Sequence, residues 1–242
     1  QHRDVVTRAS EAGVTNMLII GCDIASSQQS LELAIKHLQY STAGIHPHDA
    51  KSATDELEAQ LTALANNKQV IAIGECGLDY NRDFSPRDVQ RSVFRRHLTL
   101  AEKLDLPVYL HERDASDDML SILKEFNIRG VLHCFTGNSV ALKQYLDLGL
   151  YIGITGWVCD ERRGKELQQL VPSIPLDRLL IETDAPFLIP RTVKPKPKSR
   201  KNEPALLPYI CQTVAQLYQT DEELIARKTT ENFYNVFGLK SC

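Results

Sequence analysis

The chain has 242 residues, 43% hydrophobic and 24% charged, with a net charge of −3. That length suits one α/β barrel or two smaller domains. No apolar run approaches the roughly 20 residues of a membrane span. The acidic balance excludes attraction of nucleic acid to the whole molecule, so any polyanion site has to be local. The six cysteines are widely spaced with no Cys-x-x-Cys pair, which points to reduced thiols in the cytoplasm rather than disulfides.

The opening stretch Gln1–Gly13 has a helical pattern ending at a glycine cap. Seven β-rich runs follow: Asn16–Gly21, Tyr40–Ile45, Val70–Ile73, Leu106–Leu110, Arg129–Leu132, Leu150–Ile154 and Leu179–Ile181. Most are short and continuously apolar, as parallel strands covered on both faces are. Between them, Leu57–Leu64, Val89–Leu104 and Val140–Leu148 show helical spacing. Alternation of strand and helix predicts a parallel sheet. Seven strands are one short of an eightfold barrel, and an open sheet would expose a long apolar edge. The expected fold is therefore α/β, a TIM-type (β/α)8 barrel of the metal-dependent hydrolase kind. Residues 1–242 form one domain in this reading, and the first strand is missing from the chain.

Four metal-ligand residues follow these runs: Glu75, His111, His133 and Asp184, separated by 36, 22 and 51 residues. In a parallel barrel, strand ends meet at the catalytic face. Each residue alone also fits a capped or core polar group, but four in one layer point to a metal site. Imidazole nitrogens with carboxylate oxygens suit Zn, Mn, Co or, with more waters, Mg. His46-Pro-His48 ends the second run in the same way, with metal, phosphate or substrate contact as its candidate roles. Arg113 is a candidate for neutralising a substrate anion, or for an ion pair with Asp114 or Asp117. Asp79 and Glu182 are expected to support ligand histidines.

The segment Arg191–Lys201 carries six cations and no acid, stiffened by prolines. Following Asp184, it would form a local positive rim, with Lys196, Lys198 and Arg200 suited to phosphate backbones. The single tryptophan, Trp157, lies near Arg162 and Arg163 and offers a ring for base stacking or for the core.

Several motifs now coincide: Gly74-Glu-Cys-Gly-Leu-Asp79, His133-Cys-Phe-Thr-Gly137, Tyr151-Ile-Gly-Ile-Thr-Gly-Trp157, Glu182-Thr-Asp-Ala-Pro186 and Arg200-Lys-Asn-Glu-Pro204. In this order they resemble the TatD family of metal-dependent deoxyribonucleases, from about Val5 to Gly238. Trp157–Arg163 and the Lys-Pro-Lys-Ser-Arg loop look most like the TatD branch. The resemblance implies an amidohydrolase-like TIM barrel and 3′→5′ removal of nucleotides from DNA, single-stranded DNA preferred, with RNA as a further substrate. It implies Glu75, His111, His133 and Asp184 as ligands of a divalent metal, Mg in the cell or else Zn or Mn, with one ion or two. Many family members carry a His-x-His pair on a first strand, which this chain does not contain. The expected protein is a monomer with no membrane partner.

In the mechanism this suggests, a metal-activated water attacks the phosphodiester. Asp184 accepts its proton, and Glu75 bridges two ions if two bind. His46, His48, Arg113 and the basic loop hold the strand. Two other readings use the same site: an esterase such as a D-aminoacyl-tRNA deacylase, and a non-catalytic metal-stabilised scaffold that binds nucleic acid.

Overall fold

All seven apolar runs form strands in the computed structural model, which describes residues 2–240. In chain order the elements are α1 (His2–Glu11), β1 (Leu18–Ile19), α2 (Ile24–His37), β2 (Tyr40–Ala43), α3 (Leu57–Ala65), β3 (Val70–Asp79) and α4 (Arg87–Leu104). There follow β4 (Val108–Arg113), α5 (Ser116–Leu123), β5 (Gly130–Leu132), α6 (Ser139–Asp147), β6 (Tyr151–Ile154) and α7 (Lys165–Leu170). The last are β7 (Leu179–Ile181), α8 (Leu207–Tyr218) and α9 (Glu222–Phe237). Gly13, expected to cap α1, has the left-handed φ of +82° that such a cap needs. Gln1 of that expected helix and Cys242 lie outside the described residues. Cys22, Cys76, Cys134, Cys159 and Cys211 are free thiols.

The chain forms two compact units. The first comprises Asn16–His133 with Asp147–Leu150. Its strands β1 to β5 are parallel and pair in sequence order. They are filled by side chains such as Ala72, Ile73, Leu78, Val108, Leu110 and Leu132, all nearly inaccessible to solvent. Helix α4 covers β3 with a face of Val93, Phe94, His97, Leu98 and Ala101. Their spacing of three and four residues is that of a helix with one buried stripe. Burial of each large apolar side chain stabilises the unit by about 1.5–3 kcal/mol. Helix α2 begins at a capping box: the Asp23 carboxylate accepts the Ser26 N–H at 2.6 Å, and Ser26 Oγ accepts the Asp23 N–H at 2.9 Å.

Strand β3 runs six residues beyond its expected end at Ile73. Its register against β4 slips between Gly74 and Cys76: Gly74 pairs with Tyr109, and Cys76 with the next residue, Leu110. Glu75 is thus the extra residue of a β-bulge, a device that re-aims a side chain beside a site. Glycine flanks it for a steric reason. Gly74 and Gly77 have φ of +142° and +146°. An added Cβ would stand 2.2 Å from Tyr109 O and 1.9 Å from His111 O, respectively. The two glycines end the apolar run in the sequence, yet the strand continues through them.

The second unit contains residues up to Thr15, Cys134–Leu146 and those from Tyr151 onward. Within it β6 and β7 pair in parallel, Ile152 to Leu179 through Ile154 to Ile181. Asn232 of α9 donates to the carbonyls of Leu176 and Leu179, both at 2.8 Å, which fastens that helix to β7.

Candidate metal centre

The bulge presents Glu75 to three imidazoles. Its Oε1 lies 3.0 Å from His111 Nδ1, 3.0 Å from His133 Nε2 and 3.4 Å from His46 Nε2. Its other oxygen, Oε2, takes the Cys22 thiol at 3.7 Å. Glu75 is 7% exposed and His133 8%. His111 sits within β4, one residue beyond its expected strand end at Leu110. His133 follows β5 directly, and its N–H donates to Leu110 O at 3.0 Å. His46 opens a 3-10 turn, Pro47–Ser52. The donor atoms of His46, Glu75 and His111 lie within 4.8 Å of one another. Imidazole nitrogens with a hard carboxylate oxygen are a donor set that fits a divalent metal ion.

A second carboxylate backs the first group. Asp79 Oδ2 lies 2.7 Å from His48 Nε2 and 3.3 Å from His111 Nε2. Its Oδ1 accepts the N–H groups of Asn81 and Arg82 at 3.0 and 2.9 Å. His111 is therefore held by Glu75 on one nitrogen and Asp79 on the other, an arrangement that fixes ring orientation.

The electrostatics follow from this geometry. Burial alone would raise the Glu75 pKa, but the charge of His133 and hydrogen bonds from His111, His133 and His46 hold it well below the usual carboxylate range. Burial opposes ionisation of Asp79 too, and hydrogen bonds from His111, the Arg82 N–H and His48 outweigh it. Burial lowers the His111 pKa, but its two carboxylate partners prevail and raise it. His46 moves down, because burial outweighs the attraction of Glu75. Burial, reinforced by Glu75, pushes the Cys22 thiol up to about 12, so it stays protonated.

His46 Nδ1 accepts the His48 N–H at 3.1 Å, so the neutral ring carries its hydrogen on Nε2. Distance alone admits His46 to the ligand set. Without a metal, a hydrogen on Nε2 would face Glu75 Oε1, which lies 3.4 Å away.

In the second unit, Asp184 follows β7 with a left-handed φ of +53°. Its carbonyl accepts the Phe187 N–H at 2.8 Å. The buried Asn202 ties this segment down, its Nδ2 donating to the carbonyls of Thr183, Phe187 and Leu188. Glu182 Oε1 accepts the Cys134 N–H at 3.0 Å. Trp157 is half-buried, and the Arg163 guanidinium lies over its ring at 4.7 Å. The expected six-cation rim divides. Arg191 pairs with Glu161 at 3.3 Å and Asp160 at 3.8 Å. Lys194, Lys196, Lys198, Arg200 and Lys201 are exposed and form no ion pair among the described residues. In the first unit Arg113 is exposed, and Asp114 is taken by Asn81 Nδ2 at 2.8 Å rather than by Arg113.

The supporting residues Cys22, Gln90 and Asn202 were not singled out from the sequence. Asn202 had a usable signal, since it stands inside the Arg200-Lys-Asn-Glu-Pro204 motif. Cys22 and Gln90 are lone polar residues with no pattern around them.

Solved structures share this fold over nearly the whole chain. A TatD homologue from Escherichia coli superposes with a TM-score of 0.90 at 27% identity, covering 98% of this chain and 92% of that one. A TatD-family hydrolase from Entamoeba histolytica gives 0.87 at 27% identity, covering 96% and 87%. An organophosphorus hydrolase from Deinococcus radiodurans, 14% identical, shares the fold at a TM-score of 0.65. The fold class is thus the expected amidohydrolase-like TIM barrel, and with the carboxylate–imidazole centre it defines a metal-dependent hydrolase. The family described as TatD related DNase matches residues 1–238. Proteins named 3'-5' ssDNA/RNA exonuclease TatD are 51% identical in Erwinia tasmaniensis, over 97% of this chain and 93% of that protein. The Klebsiella pneumoniae protein of that name is 49% identical, over 98% and 92%. The chain belongs to the TatD-related DNase family. No helix among the described residues is long and apolar enough to cross a membrane.

Proposed function

We propose that this chain is a metal-dependent nuclease that removes nucleotides stepwise from the 3′ ends of single-stranded DNA and of RNA. The relatives named for that activity, at about half identity over nearly the full length, support the substrate and the polarity. The observation that carries the chemistry is the Glu75 carboxylate ringed by His46, His111 and His133. Magnesium is the proposed ion in the cell, one or two per chain, and the cytoplasm the proposed location. Residues 1–242 act as one catalytic domain in this reading, in keeping with the span of the family match.

Glu75, His111, His133 and Asp184 would hold the metal, which when bound supplies a Lewis acid for a phosphoryl oxygen and a water of lowered pKa. Asp79 keeps His111 and His48 oriented. His46 donates its Nε2 hydrogen to a phosphate oxygen. Asp184 accepts the proton released by the attacking water. Glu182 supports the fold of its own segment through Cys134. Arg113, exposed and in no ion pair among the described residues, and the exposed Lys196, Lys198 and Arg200 neutralise phosphates along the strand. Trp157 offers the face not covered by Arg163 to a base.

The test is a metal series on single-stranded DNA labelled at the 3′ or 5′ end. Stepwise shortening of the 5′-labelled strand, with immediate release of a labelled mononucleotide from the 3′-labelled one, is expected. No turnover with Mg, Mn or Zn, or shortening from the 5′ end, overturns the reading.

A further inference from the structure

Phe84 is 54% exposed, although a large apolar ring gains by leaving water. The exposure does not come from a loose segment. Ser85 Oγ donates to His48 O at 2.8 Å and accepts the Lys51 N–H at 3.1 Å. Gln90 Nε2 donates to Ser85 O at 2.8 Å. On the other side, Asp83 pairs with Arg87 at 2.7 Å. The ring is thus presented outward from a pinned backbone.

Its surroundings suit a nucleotide. The Phe84 ring meets the His48 ring in a T-shaped contact, with centroids 4.8 Å apart at 70°. From there, short contacts run from His48 to Asp79, to His111 and to Glu75, at 2.7, 3.3 and 3.0 Å. Among the described residues it is the one exposed large hydrophobic whose ring packs on a site imidazole. Cations flank it. Lys51 Nζ donates to Phe84 O at 3.1 Å and keeps two further hydrogens. The Arg82 side chain is exposed and has no ion pair among the described residues. An aromatic face with cations beside it is how proteins hold unpaired bases without reading sequence. A single ring is far too small for a protein partner, which needs about 800 Å² per side.

We propose that Phe84 is a stacking platform for the terminal unpaired base, seating the end nucleotide beside the Glu75 centre, with Lys51 and Arg82 on its phosphates. The inference rests on the nuclease reading and names the element that would favour an unstacked end. It also explains tolerance of either sugar, since a base face is common to DNA and RNA.

The test uses a single-stranded oligonucleotide ending in 2-aminopurine, with phosphorothioate at its last linkage. Wild-type protein is expected to quench the fluorescence on binding, Phe84→Trp to retain the quench and Phe84→Ala to lose it. On hydrolysable strands, the wild type prefers an end bearing a base over an abasic end. That preference should fall by about 10- to 100-fold in Phe84→Ala. Unchanged quench and preference, or equal losses on both ends, overturns the inference. Should Phe84→Ala melt early, Phe84→Leu carries the same comparison. Quenching that depends on Phe84 without turnover by the wild type overturns the nuclease reading alone. Turnover by the wild type with Phe84-independent quenching overturns the stacking inference alone.

Discussion

Gln90 closes two hydrogen bonds with the main chain of Asp79: its Oε1 accepts the Asp79 N–H at 2.8 Å, and its Nε2 donates to Asp79 O at 3.1 Å. A third bond reaches Ser85 O. Gln90 is 1% exposed, so water cannot take over these groups. The end of β3, and with it the carboxylate that orients His111, is therefore fastened by one side chain of α4. Gln90→Leu keeps the volume and strands three buried main-chain groups. The expected cost is about 3 kcal/mol, read as a lower urea midpoint in metal-free protein. An unchanged midpoint would mean that the β3 end holds itself.

Asp79 and His46 separate orientation from substrate contact. Asp79→Ala frees His48 and one nitrogen of His111, so metal affinity should fall by about 10- to 100-fold. His46→Gln keeps a donor near Glu75 but moves it. Metal affinity should survive, while kcat/KM falls by on the order of 100-fold. Titration calorimetry with the metal, beside kinetics on single-stranded DNA, checks both. Loss of metal binding in His46→Gln would place His46 among the ligands.

Much of this was legible in the sequence. The apolar runs are dense enough that all seven strands can be found, and Glu75, His111 and His133 stand out because strong metal-ligand types follow them. What escaped has physical causes. The bulge at Glu75 needs glycines at positive φ, and in a sequence those read as the end of a strand. Arg191 is indistinguishable by composition from Lys196, yet only Arg191 reaches Asp160 and Glu161. Gln90 lies on the buried stripe of α4, where hydrophobic periodicity has no way to mark a polar residue that caps a strand.

Stability should depend on His97, which is buried in α4. Its Nε2 accepts the Ile45 N–H at 3.0 Å and its Nδ1 donates to Val93 O at 2.8 Å. Burial pushes its pKa down from 6.5 to about 4, so the unfolded chain binds more protons between those values. The stabilising contribution is complete above pH 6.5 and is lost as pH falls towards 4. At pH 5 the loss amounts to about 2 kcal/mol. Urea unfolding at pH 7.5 and pH 5.0 should show it, and His97→Gln should flatten the dependence. An equally steep dependence in the variant would assign the effect to other groups, such as His46, whose pKa is also lowered.

The basic loop should govern salt dependence rather than chemistry. Lys196, Lys198 and Arg200 are exposed and unpaired among the described residues, so each is free to displace a counterion from a phosphate. For single strands, log affinity falls with log salt at about 0.7 per phosphate neutralised. Replacing all three by Ala should flatten that slope by about 2 and weaken binding most at low salt. Because Arg191 is already held by Asp160 and Glu161, Arg191→Ala should instead loosen its own loop and leave the slope nearly unchanged. Fluorescence anisotropy with a labelled single strand, from 50 to about 300 mM salt, distinguishes the two sets. A triple variant with the wild-type slope would remove the loop from the path of the nucleic acid.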